Sequence, residues 1–177
     1  MPDHKQSLIR KLKVQSSELK EELDFIRGVY DLCVTNFCAA VFSFCDGSGV
    51  KNPLLDIGAS ETKKENEILD DELKCLFRQI AKKTHTDITK SEDSRPILEE
   101  AVKAKKENKS SNLLSIAHNL KLDTSSLSYK SISVIESSIT ELEKEINTIT
   151  KSYPWLWYHA SENRKINIIQ EFIDSKV

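Results

Sequence analysis

The chain has little of what interrupts a helix. Four Gly and four Pro in 177 residues leave too few turn positions for a many-stranded β-architecture. Four cysteines are present, but no CxxC pair and no histidine at zinc-ligand spacing, which argues against a zinc site and a disulfide framework. Reduced, packed thiols are expected at Cys33, Cys38, Cys45 and Cys75. An excess of one charge is missing too: 26 Lys and Arg stand against 28 Asp and Glu, for a net charge of −2. No long-range field draws such a chain to nucleic acid or anionic lipid. The basic clusters Lys82-Lys83 and Lys103 to Lys109 have acidic neighbours and read as solvated helix faces.

Long hydrophobic runs are likewise scarce. The densest, "LCVTNFCAAVFSFC" from Leu32 to Cys45, has fourteen residues and contains Asn36, short of the ~20 a helix needs to cross a bilayer. The opening "MPDHKQSLIRKLK" is not followed by the apolar stretch of a secretory signal. A soluble, cytoplasmic chain with no membrane association is expected. "DGSGVKN" lacks the spacing and the lysine-serine ending of a phosphate loop, and the adjacent acids Asp70-Asp71 and Glu99-Glu100 point in different helical directions. No cofactor and no metal are expected.

What is present is helical periodicity. Leu19, Leu23, Ile26, Tyr30, Cys33, Phe37, Ala40 and Phe44 alternate steps of four and three, which places one stripe along a long helix over residues 7–45. From Val29 onward Leu32, Cys38 and Val41 widen its apolar face. Asp46 to Pro53 ends this helix through two glycines and a proline, opening a loop over 46–61. A second helix is predicted over 62–84, with Leu69, Leu73, Leu76, Phe77 and Ile80 on one side, then a polar linker over 85–95.

The remainder, 96–177, reads as further helices. Ser94 offers a cap, "ENKSSN" a break, and Asn112 to Leu122 a short helix around His118. Ile132, Ile135, Ile139, Leu142, Ile146 and Ile149 form a second heptad seam. A last amphipathic helix begins at Ser161 and turns Ile166, Ile169, Phe172 and Ile173 inward. The expected fold is all-α: a single domain, 1–177, built as a five- or six-helix bundle with a long N-terminal, coiled-coil-like amphipathic helix.

Two motifs carry chemistry. Ala117-His118-Asn119-Leu120-Lys121 resembles the AHxLK pattern of histidine-containing phosphotransfer domains. That resemblance implies an exposed mid-helix His118 as phosphoryl carrier, Lys121 one turn on to offset phosphoryl charge, and receiver domains as partners. Leu122 stands where that family places glycine. Arg78 and His85, separated by six residues, resemble the Arg-x4–6-His pattern of the all-helical HEPN ribonucleases. There the resemblance implies that Arg78 holds a phosphate while His85 takes a 2′-hydroxyl proton. Gln79 follows the arginine where that family has Asn, Asp or His.

The strongest patterns nevertheless bury surface rather than build a pocket. "YPWLWYH" gathers Tyr153, Trp155, Trp157 and Tyr158 into one short stretch, residue types that favour interfaces or a plug closing a bundle. The sequence is therefore read as a non-enzymatic adaptor, assembly or regulatory protein. Its expected interface is Leu19, Leu23, Ile26 and Tyr30 of the long helix together with the aromatic stretch. Its expected partner is another protein or a second copy, with nucleic acid not expected.

Overall fold

The four-three spacing becomes one uninterrupted helix, α1, Asp3–Ser48. It passes the first glycine of the predicted stop and ends at the second, because Gly49 takes the left-handed conformation and its amide donates to Cys45 O at 2.9 Å. The computed structural model describes residues 3–56, 70–85 and 94–176. Among these are seven α-helices, a 3₁₀ turn at Pro53–Asp56 and no strand. After α1 come α2 (Asp71–Thr84), α3 (Ser94–Lys106), α4 (Ser110–Asn119), α5 (Tyr129–Thr150), α6 (Tyr153–Tyr158) and α7 (Glu162–Asp174). The expected helix start at 62, Leu69 and most of the polar linker fall outside the described residues.

The all-helical character is as expected; the described helices include one more than the expected six, the short α6, and two short breaks divide the C-terminal part. One is at Asn108, whose positive φ of 54° ends α3 while Lys109 N donates to Ala104 O at 2.9 Å. The other lies before Pro154, which suits the first turn of α6.

Two compact units emerge where the sequence reading takes one domain. The first comprises Met1–Glu22 and Lys64–Glu143, the second Leu23–Lys63 and Lys144–Val177. In the first unit, Ile9 and Leu12 of α1 share a core with Leu73, Leu76 and Ile80 of α2, Leu113, Leu114 and Ala117 of α4, and Ile132, Ile135 and Ile139 of α5. Small polar side chains let these helices approach closely. Ser16 Oγ donates to Ser111 O, Ser111 and Ser138 share a hydroxyl hydrogen bond at 2.8 Å, and Ser110 Oγ donates to Val134 O. Each buried hydroxyl here thus has a partner.

The beginnings of α2 and α5 cap one another. Asp70 accepts from Leu73 N at 2.9 Å and Glu72 from Ser128 N at 2.6 Å, and the single Ser131 hydroxyl proton is shared between the two carboxylates, at 2.7 Å from Asp70 and 2.6 Å from Glu72. The Ser128 amide first, and then the two serine hydroxyls, hold the Glu72 carboxyl below the ordinary carboxylate range. A carboxyl depressed in the folded state stabilises the protein above its unfolded pKa of about 4.3, and that contribution fades as pH falls through the lower folded value. Glu72→Gln is accordingly expected to lower the melting temperature at neutral pH and to make progressively less difference as the solution is acidified below that range. Thermal unfolding of both proteins across that window checks the sign.

In the second unit Phe37, Val41 and Cys45 of α1 pack with Ile168, Ile169, Phe172 and Ile173 of α7. Ile166, expected inside, is exposed. Ile166 shares the helical phase of Ile173, seven residues on, so its exposure follows from its place nearer the start of α7 rather than from its angle. Arg27 and Glu145 form an ion pair between α1 and the end of α5.

Candidate functional site

His118 lies in the last turn of α4, half-buried, rather than in the middle of a helix. Lys121 follows the helix end with φ of 53°, its amide donating to His118 O while Leu122 N donates to Ala117 O, both at 2.9 Å. This left-handed residue turns the chain, so Lys121 does not stand one helical turn beyond His118. Two cations from other helices fix the stop. Lys13 Nζ donates to Leu122 O at 3.2 Å, and Lys83 Nζ donates to Leu120 O, an arrangement that suits the negative end of a helix. Burial lowers the pKa of Lys13 and Asp123 pulls it the other way. Asp123 itself is held low, chiefly by the Ser125 amide. The half-buried Leu122 packs against the first core.

Arg78 and His85 are not on a shared helical face. Helix α2 closes at Thr84, whose buried hydroxyl donates to Ile80 O at 2.9 Å, and His85 takes an extended conformation. Arg78 is exposed on the helix before it. The spacing places both groups on one face only if the helix reaches His85, and it stops one residue short.

The aromatic stretch divides between two roles. Trp157 meets Phe37 edge-on at 6.0 Å and Tyr153 meets Phe172 at 5.4 Å, which seats both against the second unit's core. Lys165 lies over the Trp157 ring at 4.9 Å. Trp155 and Tyr158 instead gather around His159 at 4.4 and 5.3 Å. Trp155, Leu156, His159 and Arg164 line an open cavity of about 400 Å³ with Ile168 and Glu171.

The long-helix residues expected at an interface are largely used inside the protein. Leu23 and Ile26 are buried, and Leu19 and Tyr30 are half-buried, with Leu19 packed on the first core. A second stripe runs along the same helix about a third of a turn away: Phe25, Val29, Leu32, Asn36, Ala39 and Ser43, again in steps of four and three. Phe25 is 70% exposed and Leu32 50%, with Phe42 at the stripe's edge 47% exposed. Of the residues from Phe25 to Cys45 only Arg27 and Asp31 are charged, and helical phase puts both outside this stripe. The heptad signal was present in the sequence, but Leu32 reads there as a widening of the inner face rather than as part of a second one.

The thiols depart in part from the expected burial. Cys33 and Cys45 are buried, Cys38 is half-buried and Cys75 exposed; all four are free. Burial pushes the Cys33 thiol up. Among the described residues no group of three or more His, Cys, Asp or Glu is placed to hold a metal ion. By length and composition alone, α1 contains a segment long and apolar enough to cross a membrane, and only 22% of its most apolar 18-residue window is buried. Comparison with known proteins finds no matching family model and no similar curated protein or solved structure.

Proposed function

We propose that this protein is a non-enzymatic, cytoplasmic helical interaction protein, an adaptor or assembly component, that recruits another chain through the outward face of α1. The carrying observation is the uncharged heptad stripe from Phe25 to Ser43, whose largest side chains are half to two-thirds open. Contiguous exposed apolar surface of this kind marks association, and helical spacing suits a partner helix. The two catalytic readings draw no support from the geometry, since neither His118 with Lys121 nor Arg78 with His85 forms the paired arrangement its chemistry requires.

The test is chemical cross-linking of the full chain, alone and in lysate, compared with Leu32→Asp. The wild-type protein is expected to give discrete higher-mass species that the variant loses, with the melting temperature little changed in dilute solution, where no partner is bound, because Leu32 is half exposed in the chain. Absence of such species from the wild type, or their persistence in the variant, overturns the proposal.

A further inference from the structure

We infer that the outward face of α1 is closed by a second copy of itself, in an antiparallel two-fold pair centred between Leu32 and Asn36. This inference rests on the interaction reading above and names the partner. The stripe tapers: Phe25, Val29 and Leu32 are large, while Asn36, Ala39 and Ser43 are small. Antiparallel pairing sets each large side chain against a small one, Phe25 against Ser43 of the second copy, Val29 against Ala39, and Leu32 against Asn36. The helices then keep one spacing throughout, as close packing requires. A parallel pair sets Phe25 on Phe25 and Ala39 on Ala39, which forces the helices apart at one end and leaves a void at the other.

Gly28 supplies an independent sign of close approach. It lies inside a helix, where glycine is disfavoured, and a Cβ added there meets nothing within 4 Å, so no packing among the described residues explains it. In the antiparallel register Phe42 of the second copy lies within a turn of Gly28, and helical side chains lean toward their own N-terminus, which carries that ring over the glycine. The stripe's lack of charge suits self-association, because an isologous contact must be complementary to itself.

The area is adequate for a weak dimer. With an aromatic side chain burying about 200 Å², the exposed fractions of Phe25 and Phe42 leave roughly 230 Å² per copy. Leu32, Val29, Ala39 and the adjoining backbone bring the two copies together to roughly 1,000 Å², the lower bound for a specific interface.

The full chain carrying the photocross-linker p-benzoylphenylalanine in place of Phe25 tests the arrangement. Equal amounts of unlabelled and nitrogen-15-labelled protein are mixed, irradiated and mapped by mass spectrometry, with sedimentation run in parallel. Mixed-isotope cross-links to the segment from Ala39 to Asp46, together with a monomer–dimer equilibrium weakened roughly tenfold or more by Leu32→Asp, are the expected results. Ala39→Phe, which overfills the space opposite Val29, should weaken the dimer as well. Cross-links to the segment around Phe25 itself overturn the antiparallel pair. A monomer at every concentration whose probe captures a different protein overturns self-pairing and leaves the interaction reading intact. A monomer that instead binds phosphatidylcholine vesicles through this face overturns both.

Discussion

Leu23→Asp is expected to abolish cooperative folding, whereas Leu32→Asp, on the same helix, leaves it intact. Leu23 is 3% exposed and Leu32 50%. An aspartate at the first position loses the leucine's apolar burial, worth about 2 kcal/mol. It also places an unpaired carboxylate in the interior, which costs several kcal/mol more or forces its protonation. The sum is comparable with the whole stability of a domain, about 5–15 kcal/mol. In the unpaired chain the charge at Leu32 stays in water and the change costs its folding less than about 1 kcal/mol, mostly helix propensity. Far-UV circular dichroism with thermal melting separates the two. Full helicity and an unshifted melting temperature in Leu23→Asp would place the inner seam on the surface and reverse the assignment of faces.

Phe37→Ala should destabilise the second unit by about 3–5 kcal/mol, the range for deleting a buried aromatic side chain. Phe37 is 1% exposed and meets two rings edge-on, Phe172 at 5.2 Å and Trp157 at 6.0 Å, geometries that add to simple area burial. The core it joins has few other members: Val41, Cys45, Ile168, Ile169, Phe172 and Ile173. Loss of one large member therefore leaves a cavity that so few neighbours cannot refill. Tryptophan fluorescence during urea unfolding reports directly on this region through Trp157, and the variant's midpoint should move well below that of the wild type. Phe42→Ala, which removes an exposed ring, should leave the midpoint nearly unchanged. Equal midpoints for Phe37→Ala and the wild type would show that α1 and α7 do not share this core.

Much of the helical plan was legible because it is local. The spacing of Leu19 to Phe44 and of Ile132 to Ile149 specifies helices by period alone, and Ile132, Ile135, Ile139, Leu142 and Ile146 are buried as that period requires. Stops were legible where glycine or a polar run such as "ENKSSN" supplied them, as at Gly49 and Asn108. Asn108 and Lys121 also turn the chain with positive φ, a conformation ordinary side chains adopt at a cost. At Lys121 the carbonyls of that turn are held by Lys13 and Lys83, from helices far away in the sequence. No window around "AHNLK" contains those two lysines, so the motif read as mid-helix when it closes one.

The sequence by itself determined that this protein is helical, where its long amphipathic segments run, and that one apolar stripe lies along α1. Only the tertiary structure decided that a second stripe faces outward, which tryptophan is a plug, and that His118 and His85 stand at helix ends. Periodicity reports the angle between residues on one helix, but burial depends on which other helices arrive against that angle, and those contacts join residues roughly a hundred positions apart, as Ser16 with Ser111 and Gln15 with Glu143.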